Sequence, residues 1–135
     1  MIEGSLLLVD TDVVSFIAKK HPLAAYYLQQ LDGRALAVSV ITVAEIEYGM
    51  EARNWGDLRR NQLRRILARF TTIPPDNGTA KLWAIIRSDC DRKGRPIGFA
   101  DAWIAATALQ LNVPLVTHNA KDYTAIDDLI VITAD

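Results

Sequence analysis

Leu6-Leu7-Leu8-Val9-Asp10-Thr11-Asp12 is the stretch on which the reading of this chain turns. Four apolar residues run together and stop at an acid. A short, unbroken apolar run bounded by polar residues marks a strand buried on both faces. Asp10 then stands at the strand's C-terminal end, either as a turn or N-cap acid or as part of a site, and Thr11 and Asp12 can cap a helix to about Lys20. Outward from there, His21-Pro22 breaks the helix and Leu23 to Leu31 reads as a second one. Asp32-Gly33 is a turn, Ala35 to Val40 a short strand, and Thr42 opens a helix to about Arg53. Asp57 caps a basic helix to about Phe70, and Thr71 to Ile73 is a strand closed by Pro74-Pro75. Helices follow over Asn77 to Arg92 and Phe99 to Leu111. Leu115 to Thr117 and Leu129 to Thr133 read as strands around a short helix, Ala120 to Ile126. Short strands alternating with helices predict an α/β fold with a small, mostly parallel sheet. Sites in such sheets lie outside the C-terminal ends of the strands.

The 135 residues suit one domain over 1–135. Half are hydrophobic, enough for a packed core and against a disordered tail. The formal net charge is -1, so nucleic-acid binding would have to come from local patches. One cysteine, Cys90, cannot staple the fold, and with only two histidines a structural zinc site is not expected. Cys90 reads as a buried or bystander thiol. The apolar run within Met1 to Asp10 is too short for a signal peptide, and no stretch nears the roughly 20 apolar residues that span a bilayer. A cytoplasmic protein is expected.

Four acids then call for explanation. Thr42 and Glu45 fit a capping box, although Glu45 also shares a helical face with Tyr48, Gly49 and Ala52, whose small members admit a neighbouring element. Asp101 is the most informative. Ile104, Ala105 and Ala108 place it on an apolar stripe, where a helix N-terminus explains an acid but not its burial. A buried carboxylate needs a partner. Asp122 follows the strand ending at Thr117, as a solvated acid or a site member. In a parallel sheet all four can converge on one edge. Like charges about 4 Å apart repel by roughly 4 kcal/mol per pair at an effective dielectric near 20. Such a cluster demands protons or cations, and hard oxygen ligands favour Mg²⁺ or Mn²⁺ over zinc.

Four blocks carry a resemblance: Leu8-Val9-Asp10-Thr11-Asp12, Ser39 to Gly49, Gly98 to Ala108, and Leu115 to Tyr123. In this order and spacing the chain resembles a PIN-domain ribonuclease of the VapC toxin type. The resemblance implies a three-layer α/β/α sandwich and a divalent ion held by Asp10, Glu45, Asp101 and Asp122. It implies endonucleolytic cutting of RNA with 5′-phosphate and 3′-hydroxyl products, a homodimer, and a cognate antitoxin that blocks the site. Asp12 stands where Asn is common, and His118 where a basic residue is common. Under this scheme Asp10 and Asp101 bind the ion, with Glu45 and Asp122 as direct or water-bridged ligands. Thr11, Asp12, Thr42, Thr117 and Asn119 then support them from behind.

Arg59, Arg60, Arg64, Arg65 and Arg69 flank the apolar stripe Leu63, Ile66, Leu67 and Phe70, as a solvated face or as a phosphate-binding rim. Lys121, Lys19 and Lys20 are weaker candidates. Trp55, Trp83 and Trp103 read as core or interface. Helices from Thr11 and from Val43 would flank an antitoxin groove floored by Ile17, Ile46 and Met50, or simply pack. Among rivals, a receiver-type phosphorylation domain lacks its late-strand lysine. A dinucleotide-binding module would need a Gly-rich turn where Asp10-Thr11-Asp12 stands. A catalytically silent RNA- or protein-binding module of the same fold stays open.

Overall fold

Leu7 and Val9 point to one face of the sheet and Leu8 to the other, as the period of a strand requires, and all three are fully buried. Helices therefore cover both faces. The computed structural model describes residues 5–134. Residues 1–4, the start of the segment weighed as a signal peptide, and residue 135 lie outside the described residues. The strands are β1 Leu6–Val9, β2 Ala35–Ser39, β3 Thr71–Ile73, β4 Leu115–Val116 and β5 Val131–Ile132. The helices are α1 Thr11–Lys19, α2 Ala24–Leu31, α3 Val40–Ala52, α4 Asp57–Leu67, α5 Asn77–Arg92 and α6 Phe99–Leu111, with a 3-10 turn at Ala120–Tyr123.

The sheet order is β3-β2-β1-β4-β5, with every pairing parallel. This is the expected three-layer α/β/α arrangement. One layer packs Leu7, Val9, Val38 and Val116 against α1 (Val13, Val14), α2 (Tyr27, Leu31), α3 (Ile46, Met50) and α4 (Leu63). The other packs Leu8, Ala37 and Leu115 against α5 (Ile86, Cys90) and α6 (Ala102, Ala105, Ala106, Ala108). The alanines of α6 let it lie close to the sheet and to α5. Fully burying a side chain such as Leu8 contributes about 1.5–3 kcal/mol. Cys90 is buried in this second layer, in keeping with a packing thiol.

The chain leaves β1 toward β2 on one side and returns to β4 on the other. The carboxyl ends of β1 and β4 therefore flank the point where strand order reverses, the usual crevice for a site. Asp10 follows β1, and Thr117 follows β4.

Several local expectations are corrected. α3 begins at Val40, not Thr42, because the Ser39 hydroxyl accepts a hydrogen bond from the Ile41 amide and caps the helix there. A capping box does exist, but at Asp76 and Thr79, opening α5. α1 is capped by Asp10 rather than by Thr11 or Asp12. Gly56, without a capping side chain, precedes α4 in place of Asp57. The helix expected to reach Ile126 is only the 3-10 turn. α6 ends at Asn112, whose left-handed backbone (φ 55°) suits an Asn and stops the helix before Pro114.

Candidate functional site

Asp10 is held from three sides. Its Oδ1 accepts from the Thr11 amide at 2.8 Å, while Oδ2 accepts from Thr117 Oγ1 and from the Tyr123 hydroxyl, each at 2.8 Å. Only 6% of the residue is exposed, and among the described residues no cation pairs with it. Burial, and then repulsion from Asp12, raise its pKa to about 6 despite those three donors. Asp10 thus serves both as the helix cap and as the buried acid at the sheet's switch point.

Tyr123 joins the second acid to the first. Its hydroxyl also lies 3.3 Å from Asp101 Oδ1, so one phenol stands between two carboxylates. Burial, then the negative charges of Asp10 and Asp101, push the phenol pKa well up, and the hydroxyl keeps its proton. Asp101 is half-buried. Burial comes first in raising its pKa, followed by repulsion from Asp10, from Asp122 and, more weakly, from Glu45. Sequence reasoning left Tyr123 out of the site. It belongs to a single 3-10 turn, too short to show any periodicity that would mark it as buried.

Glu45 reaches this group through threonines. Thr11 Oγ1 lies 2.6 Å from Glu45 Oε1 and 2.9 Å from Thr42 Oγ1. The carboxylate can only accept, so Thr11 gives it its proton and in turn accepts from Thr42. Thr42 is fully buried and Glu45 exposed at the rim. Tyr48 and Ala52 are exposed, while Gly49 is half-buried and lies with Glu45 along the groove opposite α1.

Asp12 has a tethering place. Its Oδ1 accepts from the Val13 amide at 2.7 Å, and its Oδ2 from the His118 amide at 3.0 Å and Asn119 Nδ2 at 2.9 Å. Burial raises its pKa, and the two backbone donors lower it. The carboxylate therefore binds the segment after β4 to α1. Asn119 spends its side chain on this tether. His118 packs edge-on to Phe16 and Tyr27, with Nδ1 2.7 Å from the Tyr27 hydroxyl.

Asp101 and Asp122 line one cavity of about 420 Å³, walled by the Gly94–Gly98 loop on one side and Lys121, Thr124 and Ala125 on the other. Asp122 is exposed there. A separate groove between α1, α3 and α4 starts at Thr11 and Glu45 and runs over Ala18, Ile46, Met50, Trp55 and Leu63. Ile46 and Met50 are on it as expected. Ile17 is not, and lines another hollow with Leu28, Leu36 and Ile66.

The basic helix is largely committed to its own chain. Arg64 grips Glu47 through two bonds, at 3.0 and 2.7 Å, and holds that carboxyl below its usual range. Arg60 pairs with Glu51 and donates to the Trp55 carbonyl at 2.6 Å. Arg59 lies over the Trp55 ring at 3.9 Å. Arg60 and Arg64 of the expected phosphate rim are thus each paired with a carboxylate of α3, which offsets their charge toward RNA. Arg65 remains exposed.

A family model described as "PIN domain" matches residues 7–129. The chain belongs to the PIN-domain family. Ribonuclease VapC1 of Haemophilus influenzae is 29% identical over 126 residues, 92% of this chain and 94% of its own. Ribonuclease VapC5 of Mycobacterium tuberculosis is 33% identical over 94 residues, 68% of this chain and 69% of its own. Among solved structures, VapBC2 from Rickettsia felis, bound to a DNA fragment from their promoter, superposes with a TM-score of 0.86 at 28% identity. That match covers 96% of this PIN domain and 99% of the other chain.

PIN-domain nucleases generally use divalent metal ions. The residues here fit one. Asp10, Asp12 and Asp101 are crowded acids with raised proton affinity, and among the described residues no cationic side chain forms an ion pair with them. Among the described residues no group of three or more His, Cys, Asp or Glu side chains is placed to hold an ion by itself, so the four acids do not close into one ligand set. The remaining ligands would be water or substrate oxygens, which suits Mg²⁺, an ion usually bound through one or two carboxylates.

Proposed function

We propose that this PIN domain is an Mg²⁺- or Mn²⁺-dependent endoribonuclease, the toxin of a toxin–antitoxin pair. The observation that carries the reading is the Tyr123 hydroxyl set between Asp10 and Asp101, which joins two acids remote in sequence at the switch point of the sheet. Asp10 and Asp101 would hold the ion, with Glu45 and Asp122 as direct or water-bridged ligands. When bound, such an ion supplies Lewis acidity, which acidifies water and offsets charge building on the phosphate.

The chain's own residues do the rest. Thr117 and the Thr11 amide fix the Asp10 carboxylate in one orientation. Tyr123 stays neutral and donates, so it lowers the repulsion between the two acids without competing as an anion. Thr11, backed by Thr42, aims Glu45. Asp12 holds Asn119 and His118 and so keeps the segment carrying Asp122 in place.

The groove floored by Ile46, Met50 and Leu63 would take an apolar segment of the antitoxin. Since that groove begins at Thr11 and Glu45, the same segment would block the acids. VapBC-5 from Mycobacterium tuberculosis, a solved structure 28% identical to this chain, is described as a member of the VapBC family of toxin–antitoxin systems, which supports a partner of this kind. Homodimerisation and a cytoplasmic location are part of the proposal. No helix among the described residues is long and apolar enough to cross a membrane.

The test is incubation of purified protein with total RNA and Mg²⁺ or EDTA, followed by mapping of new ends. Cuts that need the ion and vanish in Asp101→Asn are expected. Binding of RNA or antitoxin without any cutting would favour the silent module, and full cutting by Asp101→Asn would overturn the scheme.

A further inference from the structure

We propose that the cavity beside Asp101 and Asp122 seats the ribonucleotide next to the scissile phosphate, with Arg95 and Lys121 binding that nucleotide's own phosphate. This deepens the nuclease reading and rests on it. The cavity volume, about 420 Å³, lies within the roughly 300–1,000 Å³ of small-ligand sites. Its walls include the two acids, so whatever fills it touches the reacting centre.

Those acids repel phosphate, and an RNA held there needs positive charge close by. Arg95 enters from the loop before α6 and Lys121 from the 3-10 turn, so the two cations reach the cavity from separate segments. Both are exposed, and among the described residues neither forms an ion pair. The contrast with α4 is direct: Arg60 and Arg64 are spent on Glu51 and Glu47. The loop itself suits close approach. Gly94 turns through a left-handed conformation (φ 70°) with no atom within 4 Å of where a Cβ would stand, and Gly98 likewise leaves open space.

The experiment uses the full chain carrying Asp101→Asn, which under the nuclease reading is expected to bind RNA without cutting it. Affinity for a dye-labelled oligoribonucleotide is read by fluorescence anisotropy across a salt series. Arg95→Ala with Lys121→Ala is expected to weaken binding about tenfold. It should also flatten the slope of log affinity on log salt by about 0.7 per lost phosphate contact. Arg95→Glu should deepen the loss, and unchanged melting temperatures show that the fold is kept. Lys81→Ala, which removes an exposed cation near the start of α5 that is not among the cavity's lining residues, should leave affinity near that of the parent. Parent-like affinity and salt slope in the double alanine variant would overturn the subsite. That failure leaves the nuclease reading intact wherever the unsubstituted chain still cuts RNA. Absence of any cutting by the unsubstituted chain sinks the nuclease reading by itself.

Discussion

One phenol oxygen serves two carboxylates at this site, and its removal is the most telling single-atom change. Tyr123→Phe keeps the packed ring and deletes the hydroxyl. A hydrogen bond to a charged group is worth about 1.5–3 kcal/mol, so RNA cleavage should fall roughly ten- to a hundredfold while the fold survives. The pH–rate profile should shift as well, because the two acids then repel without a donor between them. Asp10 gives a second prediction. Its pKa is about 6 in the fold against 3.8 as a free side chain. Between those values the folded chain binds more protons than the unfolded one, so the slope of unfolding free energy against pH is negative. In metal-free protein this stabilisation is full below about pH 4 and is lost as pH rises through 6. It amounts to about 3 kcal/mol at most. Asp10→Asn should flatten that fall in urea-melt stability; an identical slope in the variant would contradict the burial-driven shift. At this scale Asp10, Glu45, Asp101 and Asp122 stood out in the sequence as candidates, since strand ends and an acid on an apolar stripe are local patterns; Tyr123 joins two of them, Asp10 and Asp101. Tyr123 itself did not stand out, because its importance lies in which two side chains it happens to meet.

At the scale of elements, the segment after β4 is positioned by α1 through Asp12. Asp12→Ala removes the acceptor for the His118 amide and for Asn119 Nδ2. Losing such a supporting contact should lower activity about 10- to 100-fold. Hydrogen exchange at the His118 amide should quicken in parallel, and protection equal to the parent's would remove the tether argument. α4 behaves otherwise. Its arginines read as a basic face, yet two of them bind α3 through Glu47 and Glu51. The Arg64–Glu47 pair is exposed, and a double-mutant cycle on it should give a coupling of only about 0.2–1 kcal/mol. Strands and helices themselves were readable from run length and periodicity, including the full extents of α5 and α6. The start of α3 was not: Val40 and Ile41 look like strand, and the Ser39 cap decides against it.

For the whole molecule, the strand order is what makes a site. β1 lies between β2 and β4, so Asp10 and Thr117 leave neighbouring strands side by side, and α6 brings Asp101 to the same edge. The central position of β1 also sets the core. Leu8→Ala should cost about 2–5 kcal/mol in a urea melt. Saturating divalent ion should raise the melting temperature, since ligand at 100 times its dissociation constant adds about 2.7 kcal/mol. The rise should shrink in Asp10→Asn. By itself the sequence determined the fold class and the placement of acids at or near element ends, because each follows from local pattern. Only the tertiary structure decided which donors hold each acid, which arginines are free, and that Arg95 and Lys121 face one cavity. Those depend on contacts between residues far apart in the chain, and no local pattern records them.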